Sequence, residues 1–308
     1  MHTTPAPSGK QFTLRFGDQH AVVTEVGAAL RRYAVADVDV LDGYAATEMC
    51  TDARGQTFIP WPNRIADGRY EFGGEEHQLP LSEPAVGNAI HGLTRWVDWR
   101  LVRGGPLSLR FAHHLAPQPG YPFDLRCEIT YRIGEGGLRV ETRATNVGAR
   151  PCPYATGAHP YIRLGAQQVD DLEVHLPARV WYPTDDRGIP TGRRPVDGTD
   201  RDLRTPRRIG STELDTAFTD LVQDTTGTTT VQVSAPGGHR VDLWMDGAYR
   251  YVELFTGDSL PEPERRRRSL GVEPMTAAPN AFRTGDGLRT LEPGETTSAS
   301  WGLRPGLT

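Results

Sequence analysis

Short runs in which apolar residues take every second position recur along this chain, and no 11-residue window carries a convincing helical stripe. Alternation of period two marks a strand with one buried and one wetted face, because successive side chains of extended backbone point to opposite sides. QFTLRF and AVVTEV open the pattern between Gln11 and Val26. DLRCEITYRI, then GEGG, then LRVETRATNV read as a hairpin about a Gly-rich turn. DLEVHLP, TTTVQVSAP, HRVDLWMD and YRYVELFTG repeat the pattern with β-branched and aromatic residues. So many strands exceed one flat sheet, and no Pro-rich or Ser-rich linker divides them. The expected fold is all-β, a large twisted multi-sheet β-sandwich in one domain over residues 1–308, with the first ~10 residues a flexible tail. No internal repeat of 20 to 50 residues supports a propeller.

Charge and composition narrow the partners. The formal charge is -5, so the chain lacks the broad basic face that a phosphate backbone requires, and nucleic acid is set aside. MHTTPAPSGKQF has no apolar core behind a basic start, and nowhere do about 18 apolar residues run together. A cytoplasmic protein without membrane contact, monomer or homodimer, is the expectation. Cys50, Cys127 and Cys152 are widely spaced and lack zinc spacing, which suits reduced thiols. The run Arg265 to Arg268, flanked by Pro and Glu, reads as a solvated loop in preference to an anion site.

Four segments depart from strand-and-turn filler: FIPWPNRIADGRYEFGGEEHQLP from Phe58, GNAIHGLTRW from Gly87, ATGAHPYIRLG from Ala155 and SLGVEPMTAAPNAF from Ser269. Each sets polar residues beside Pro or Gly, as rigid loop ends that hold binding groups do. Glu273 follows the apolar Leu270 and Val272, so a carboxylate is offered at the end of a buried strand, where desolvation raises its basicity. Taken singly, a histidine in a β protein is more often structural, and a glutamate at a strand end is commonly a cap.

In combination the segments resemble the aldose 1-epimerase (galactose mutarotase) family. PNRIADGRYEFGGEEHQLP, NAIHG, GAHPYI, LDTAFTDL, YVELFTGD, VEPMTAAPNAF and LRTLEPGETTSASWGL stand in family order over nearly the whole chain. The resemblance implies the family's sandwich, a sugar substrate and no metal or other cofactor. It places His159 as proton donor and Glu273 as proton acceptor. Asn63, Arg64, His91 and Asp215 match its sugar-binding positions, and Tyr161 follows the acid. Opening a hemiacetal needs a base at the O1 hydroxyl and an acid at the ring O5, and a histidine with a desolvated glutamate can supply both. The stacking surface for the ring's C–H face would come from Trp61, Trp96, Tyr161 and Phe255.

Two departures leave the sugar open. HGLTRW brings Arg95 next to the family's His-Gly position, and Glu253 in YVELFTG stands where better-studied relatives carry a substrate-contacting Gln. The pattern is similar to bacterial branches linked to varied sugars, sulfonated hexoses among them. The alternatives are therefore a mutarotase of a 6-phosphorylated or 6-sulfonated hexose, with Arg95 or Arg163 near the anion, and a non-catalytic carbohydrate-binding protein. A lyase or glycoside hydrolase on the same sandwich is the remaining rival. Hydrolysis would use two carboxylates, for which Glu253 and Glu273 are the candidates.

Overall fold

In the computed structural model, which describes residues 6–166 and 168–307, the expected hairpin is the spine of the molecule. Strands Leu125–Gly134 and Gly137–Asn146 pair antiparallel along their full length, from Leu125↔Asn146 to Gly134↔Gly137. Gly137 makes the return possible: its φ is +91°, and a Cβ there would lie 2.0 Å from the carbonyl oxygen of Leu303. The hairpin lies inside a nine-stranded sheet. The closing strand, Thr296–Gly306, inserts between Gly137–Asn146 and Arg240–Met245 and so joins early and late parts of the chain.

A second, eight-stranded sheet runs in the order Arg194–Pro195, Ala178–Trp181, Asp215–Leu221, Tyr251–Phe255, Leu270–Met275, Gly157–Ala158 and Thr57–Phe58, with Tyr161–Ile162 also on Leu270–Met275. A meander of four strands, Gln11–Phe16, Gln19–Thr24, Leu30–Val35 and Val38–Asp39, packs beside them. One apolar cluster reaches from Leu14 to Leu303 and includes Tyr33, Trp99, Phe111 and Tyr131. The architecture is thus the all-β, multi-sheet sandwich that the alternation predicts. Among the described residues the one α-helix is the single turn Ala281–Thr284, and no helix is long and apolar enough to cross a membrane. The three cysteines are buried and free.

Leu270–Met275 is buried at all of its positions, which shows that both faces of the second sheet are covered here. Period-two alternation disappears in such a strand. Any polar side chain on it must find its partners inside the protein.

Two expectations are corrected. Ser8 is buried and its carbonyl accepts a bond from the Val26 amide, so docked chain begins within the stretch read as a tail; residues 1–5 lie outside the described residues. The Arg265–Arg268 run is not solvated loop. Asp42, whose side chain is 1% exposed, accepts from Arg54 Nη1 at 2.9 Å and from the Ser269 hydroxyl at 3.2 Å, and forms an ion pair with Arg268, whose Nε lies 3.1 Å away. Arg265 lies 3.3 Å from Glu48, Arg266 donates to the Leu260 carbonyl, and Arg267 binds Asp170, Asp258 and the Gly210 carbonyl. These partners are remote in sequence, which is why a local reading misses them.

Asp42→Ala would leave a fully buried Arg54 without its best counter-charge. The expected cost is about 3–5 kcal/mol of folding stability, read from urea unfolding.

Candidate active site

Strand register builds the centre of the site. Tyr251–Phe255 and Leu270–Met275 run antiparallel with Glu253 directly opposite Glu273. On the other side of Leu270–Met275, Gly157 pairs with Met275 and Tyr161 with Gly271, and the same register carries through to set His159 opposite Glu273. Residues 159, 273 and 253 therefore form one row across three neighbouring segments. Directly opposed side chains share a face of the sheet. His159 Nε2 and Glu273 Oε1 are 3.1 Å apart, and both side chains are buried.

The second wall is a pair of locked loops. Asn63 (φ +53°) and His91 (φ +60°) both hold left-handed backbone, which Asn and His tolerate better than most residues. Each supports the other: the His91 amide donates to the Asn63 carbonyl at 3.0 Å, and the Asn63 amide donates to His91 Nδ1 at 3.1 Å. Gly92 follows with φ +70°, and a Cβ there would lie 2.2 Å from the Ile59 carbonyl oxygen. Phe58 stacks flat under the His91 ring at 3.8 Å.

That amide bond fixes the chemistry of His91. Nδ1 must accept, so the neutral ring carries its proton on Nε2. Burial, then the charges of Arg95 and a protonated His159, hold His91 well below the ordinary imidazole value, so it stays neutral. His91, His159 and Glu273 bring three ligand-type atoms within 4.8 Å of one another, a spacing a metal ion could use. The neutral ring, with Nδ1 committed as acceptor, has an N–H at Nε2 where a ligand needs a lone pair, so His91 is a hydrogen-bond donor.

His159 is held from its flank by Tyr161, whose ring is parallel to it within 8° at 4.3 Å. The Arg54 guanidinium lies 4.2 Å from the centre of the Tyr161 ring. Burial, then Arg54 and Arg95, pull His159 well below the ordinary imidazole range. Burial, then Asp215, push Glu273 well above the ordinary carboxyl range, against the opposing charge of Arg64. The two groups nonetheless lie within 3.1 Å, Nε2 to Oε1, close enough for a proton to pass between them.

His159 and Glu273 open into a cleft of about 290 Å³ that also exposes Asn63, Arg64, His91, Tyr161, Asp215 and Phe255. This is at the small end of ligand pockets. Arg64 forks onto Glu83 at 2.9 and 3.1 Å and reaches Asp215 at 3.6 Å.

Not every predicted contact is at the surface of the cleft. Glu253 is not among the residues lining the cleft: it is as buried as Glu273, on the same face of the sheet, and Asn63 Nδ2 donates to it at 3.3 Å. Tyr161 lines the cleft, but its hydroxyl donates to the Asp52 carbonyl at 3.1 Å, so its ring is what remains to offer. Trp61 is core, packed on Phe282, and Trp96 is half exposed outside the cleft lining. Arg163 stands with Arg31, Arg265 and Arg268 about Asp42 in a separate hollow. Sequence reading did not find Arg54, Phe58 or Glu83. Glu83 and Arg54 sit in polar stretches without a distinguishing pattern, and Phe58 reads as strand.

The family model for aldose 1-epimerase matches residues 10–304. The chain belongs to the aldose 1-epimerase family. It is 34% identical over 291 residues to the Escherichia coli protein YihR, covering 94% of this chain and 91% of the relative. Aldose 1-epimerase of Escherichia coli is 30% identical over 233 residues, which is 68% of this chain and 66% of that one. Galactose mutarotase of Rattus norvegicus is 32% identical over 225 residues, 66% and 64% of the two chains. Among solved structures, the GalM/aldose epimerase homologue from C. elegans superposes with a TM-score of 0.85 at 19% identity, covering 96% of this chain and 98% of that one. Galactose 1-epimerase of Lactobacillus acidophilus gives 0.80 at 21% identity, with coverage of 96% and 94%. These two share the fold with this member of the family.

The Gly92 position tests the loop geometry. Gly92→Ala forces a Cβ into the Ile59 carbonyl at a positive φ. It is expected to lower stability by more than ~1 kcal/mol, seen as a drop in thermal midpoint.

Proposed function

We propose that this protein is a mutarotase that opens and recloses the ring of a free aldohexose, with Glu273 and His159 exchanging protons with the two oxygens of its anomeric carbon. The observation that carries this reading is their 3.1 Å contact at the floor of the cleft. Glu273 takes the proton of the O1 hydroxyl as His159 gives one to the ring O5. The C1–O5 bond breaks to leave an aldehyde and a C5 hydroxyl, and after rotation about C1–C2 the same two groups return their protons as the ring closes.

His159 Nε2 and Glu273 Oε1 stand side by side. O1 and O5 are bonded to one carbon, so adjacent groups serve them better. Ring opening then converts an imidazolium–carboxylate pair to a neutral pair without changing the net charge of the site. In a buried site this matters, because an uncompensated charge is what burial penalises most. The hydrolase reading loses support from the same geometry: Glu253 and Glu273 are neighbours on one sheet, not groups facing each other across the cleft, and Glu253 does not line it.

Glu273→Gln and His159→Asn should each slow interconversion of freshly dissolved anomers, followed by polarimetry, by about 10²- to 10⁴-fold. The double variant should be little worse than either single one. Wild-type rates should follow a bell-shaped pH profile. They should fall on the acid side, below the ordinary histidine value of 6.5, where a second proton enters the pair, and on the alkaline side, above the ordinary glutamate value of 4.5, where the shared proton leaves. Near wild-type activity in a folded single variant would remove the assignment.

One observation favours a second reading, in which the hexose carries an anion at C6. Arg95 lines the cleft and is drawn down to about 10, chiefly by burial. Its Nη2 donates to the Ile90 carbonyl at 3.3 Å, and its Nε has no partner among the described residues. No carboxylate lies within ion-pair distance of it among those residues. A buried guanidinium in this state favours a phosphate or sulfonate. On this reading Arg95→Met raises the KM for a 6-phosphate or 6-sulfonate hexose by roughly 10- to 100-fold, about 1.5–3 kcal/mol, and leaves the neutral sugar unchanged. Equal handling of neutral and anionic sugars by the wild-type protein would discard it.

A further inference from the structure

The hollow around Asp42 shares no lining residue with the cleft, and the proposed proton exchange makes no use of it. It measures about 390 Å³. Three separate parts of the chain supply its basic wall: Arg31 from the strand Leu30–Val35, Arg163 from just after Tyr161–Ile162, and Arg265 and Arg268 from the arginine run. Backbone pairing holds these parts together. The Asp42 amide donates to the Tyr161 carbonyl at 2.8 Å, and the Arg163 amide donates to the Val40 carbonyl at 2.9 Å. All four arginines are half-buried.

Acids in the hollow are too few for its arginines. Five arginines and three acids line it. Asp39 is paired with Arg32 at 3.0 Å and Glu48 with Arg265 at 3.3 Å, which leaves Asp42 for the rest. Asp42 already accepts from the buried Arg54 and from the Ser269 hydroxyl. Arg268 meets it through Nε, and Arg163 stands 4.0 Å away. Arg31 Nε has no partner, and no carboxylate lies within ion-pair distance of Arg31 among the described residues.

Backbone carbonyls hold these side chains instead. Arg31 Nη1 donates to Tyr44 at 2.5 Å, Arg163 Nε to Ala166 at 3.3 Å and Arg265 Nη1 to Gly43 at 3.3 Å. A carbonyl orients a guanidinium without cancelling its charge, and each guanidinium has five N–H groups to offer. Donors fixed in advance spare an arriving anion the cost of ordering long, flexible side chains.

We propose that this hollow is a binding site for a phosphate group, held by Arg31, Arg163 and Arg268 and separate from the sugar cleft. The lining has an excess of two positive charges, and a phosphate carries about -1.5 to -2 at neutral pH, with oxygens that suit the guanidinium fork. A neutral sugar offers no charge to match. The volume leaves room beyond the phosphate itself for a small ester. The site does not depend on the mutarotase reading.

Calorimetric titration of the intact protein with inorganic phosphate, in a zwitterionic buffer at neutral pH, should show saturable binding with a Kd of about 0.1–1 mM. Arg31→Gln and Arg163→Gln each remove a charge and keep an amide donor, and each should weaken binding by roughly 10-fold or more. Either variant suffices if the other fails to fold. Phosphate at about 10 mM should also raise the thermal midpoint of the wild type and lose that effect in the variants, and sodium chloride at equal ionic strength should not reproduce it. Glycerol 3-phosphate distinguishes the two sources of the group: tighter binding than inorganic phosphate assigns an ester, weaker binding assigns the free ion, and both keep the site. Absence of saturable binding, or binding unchanged in both variants, overturns the proposal. So does equal stabilisation by chloride, which reduces the effect to screening, or loss of phosphate binding in Arg95→Met, which moves the anion to the cleft.

Discussion

The contact between His159 and Glu273 is the constraint around which the rest of the molecule makes sense. Two groups that share a proton can be buried where two independent charges cannot, because the pair has a neutral form to fall back on. Burial moves them in opposite directions, the carboxyl up and the imidazole down. Two groups held this close suit a reaction whose forward and reverse halves use the same pair.

The sheet fixes that contact. Residue 273 is on a strand buried on both faces and paired on both edges, and residue 159 is set opposite it by the pairs on either side. Behind His159 stand Tyr161 and Arg54, and Arg54 is tied to Asp42. Asp42 also gathers Arg268 and Ser269 from the segment entering the Glu273 strand, while Arg266 holds the carbonyl of Leu260 at the cleft's lip. The arginine run thus anchors the loop beside the cleft and the strand beneath it.

The fold was legible because period two is a local signal, written separately in each strand. The same holds for the central hairpin, where both strands and the Gly-rich turn lie in one stretch. His159 and Glu273 were found through their motifs, and their adjacency then follows from register, which no local pattern records. Partners at long range escaped. Asp42 looks like any loop aspartate until four arginines converge near it. Trp61 and Trp96 show the converse failure: aromatic residues beside a functional motif read equally well as core, platform or surface, and only packing separates these. Glu253 was recognised as a departure, and its place directly opposite Glu273 follows from register in the same way.

Neutrality is maintained elsewhere in the site by hydrogen bonding as much as by burial. His91 cannot take a second proton without losing the Asn63 amide at Nδ1, since that nitrogen would become a donor facing a donor. Asn63 has its backbone N–H on His91, its amide nitrogen on Glu253 and its side-chain oxygen on the Arg64 amide, so it connects the loop wall to the sheet wall. A second proton on His91 would break its bond to Asn63 and move the residue that joins the two walls. The geometry that presents a sugar to His159 and Glu273 therefore depends on His91 remaining uncharged while those two groups exchange protons.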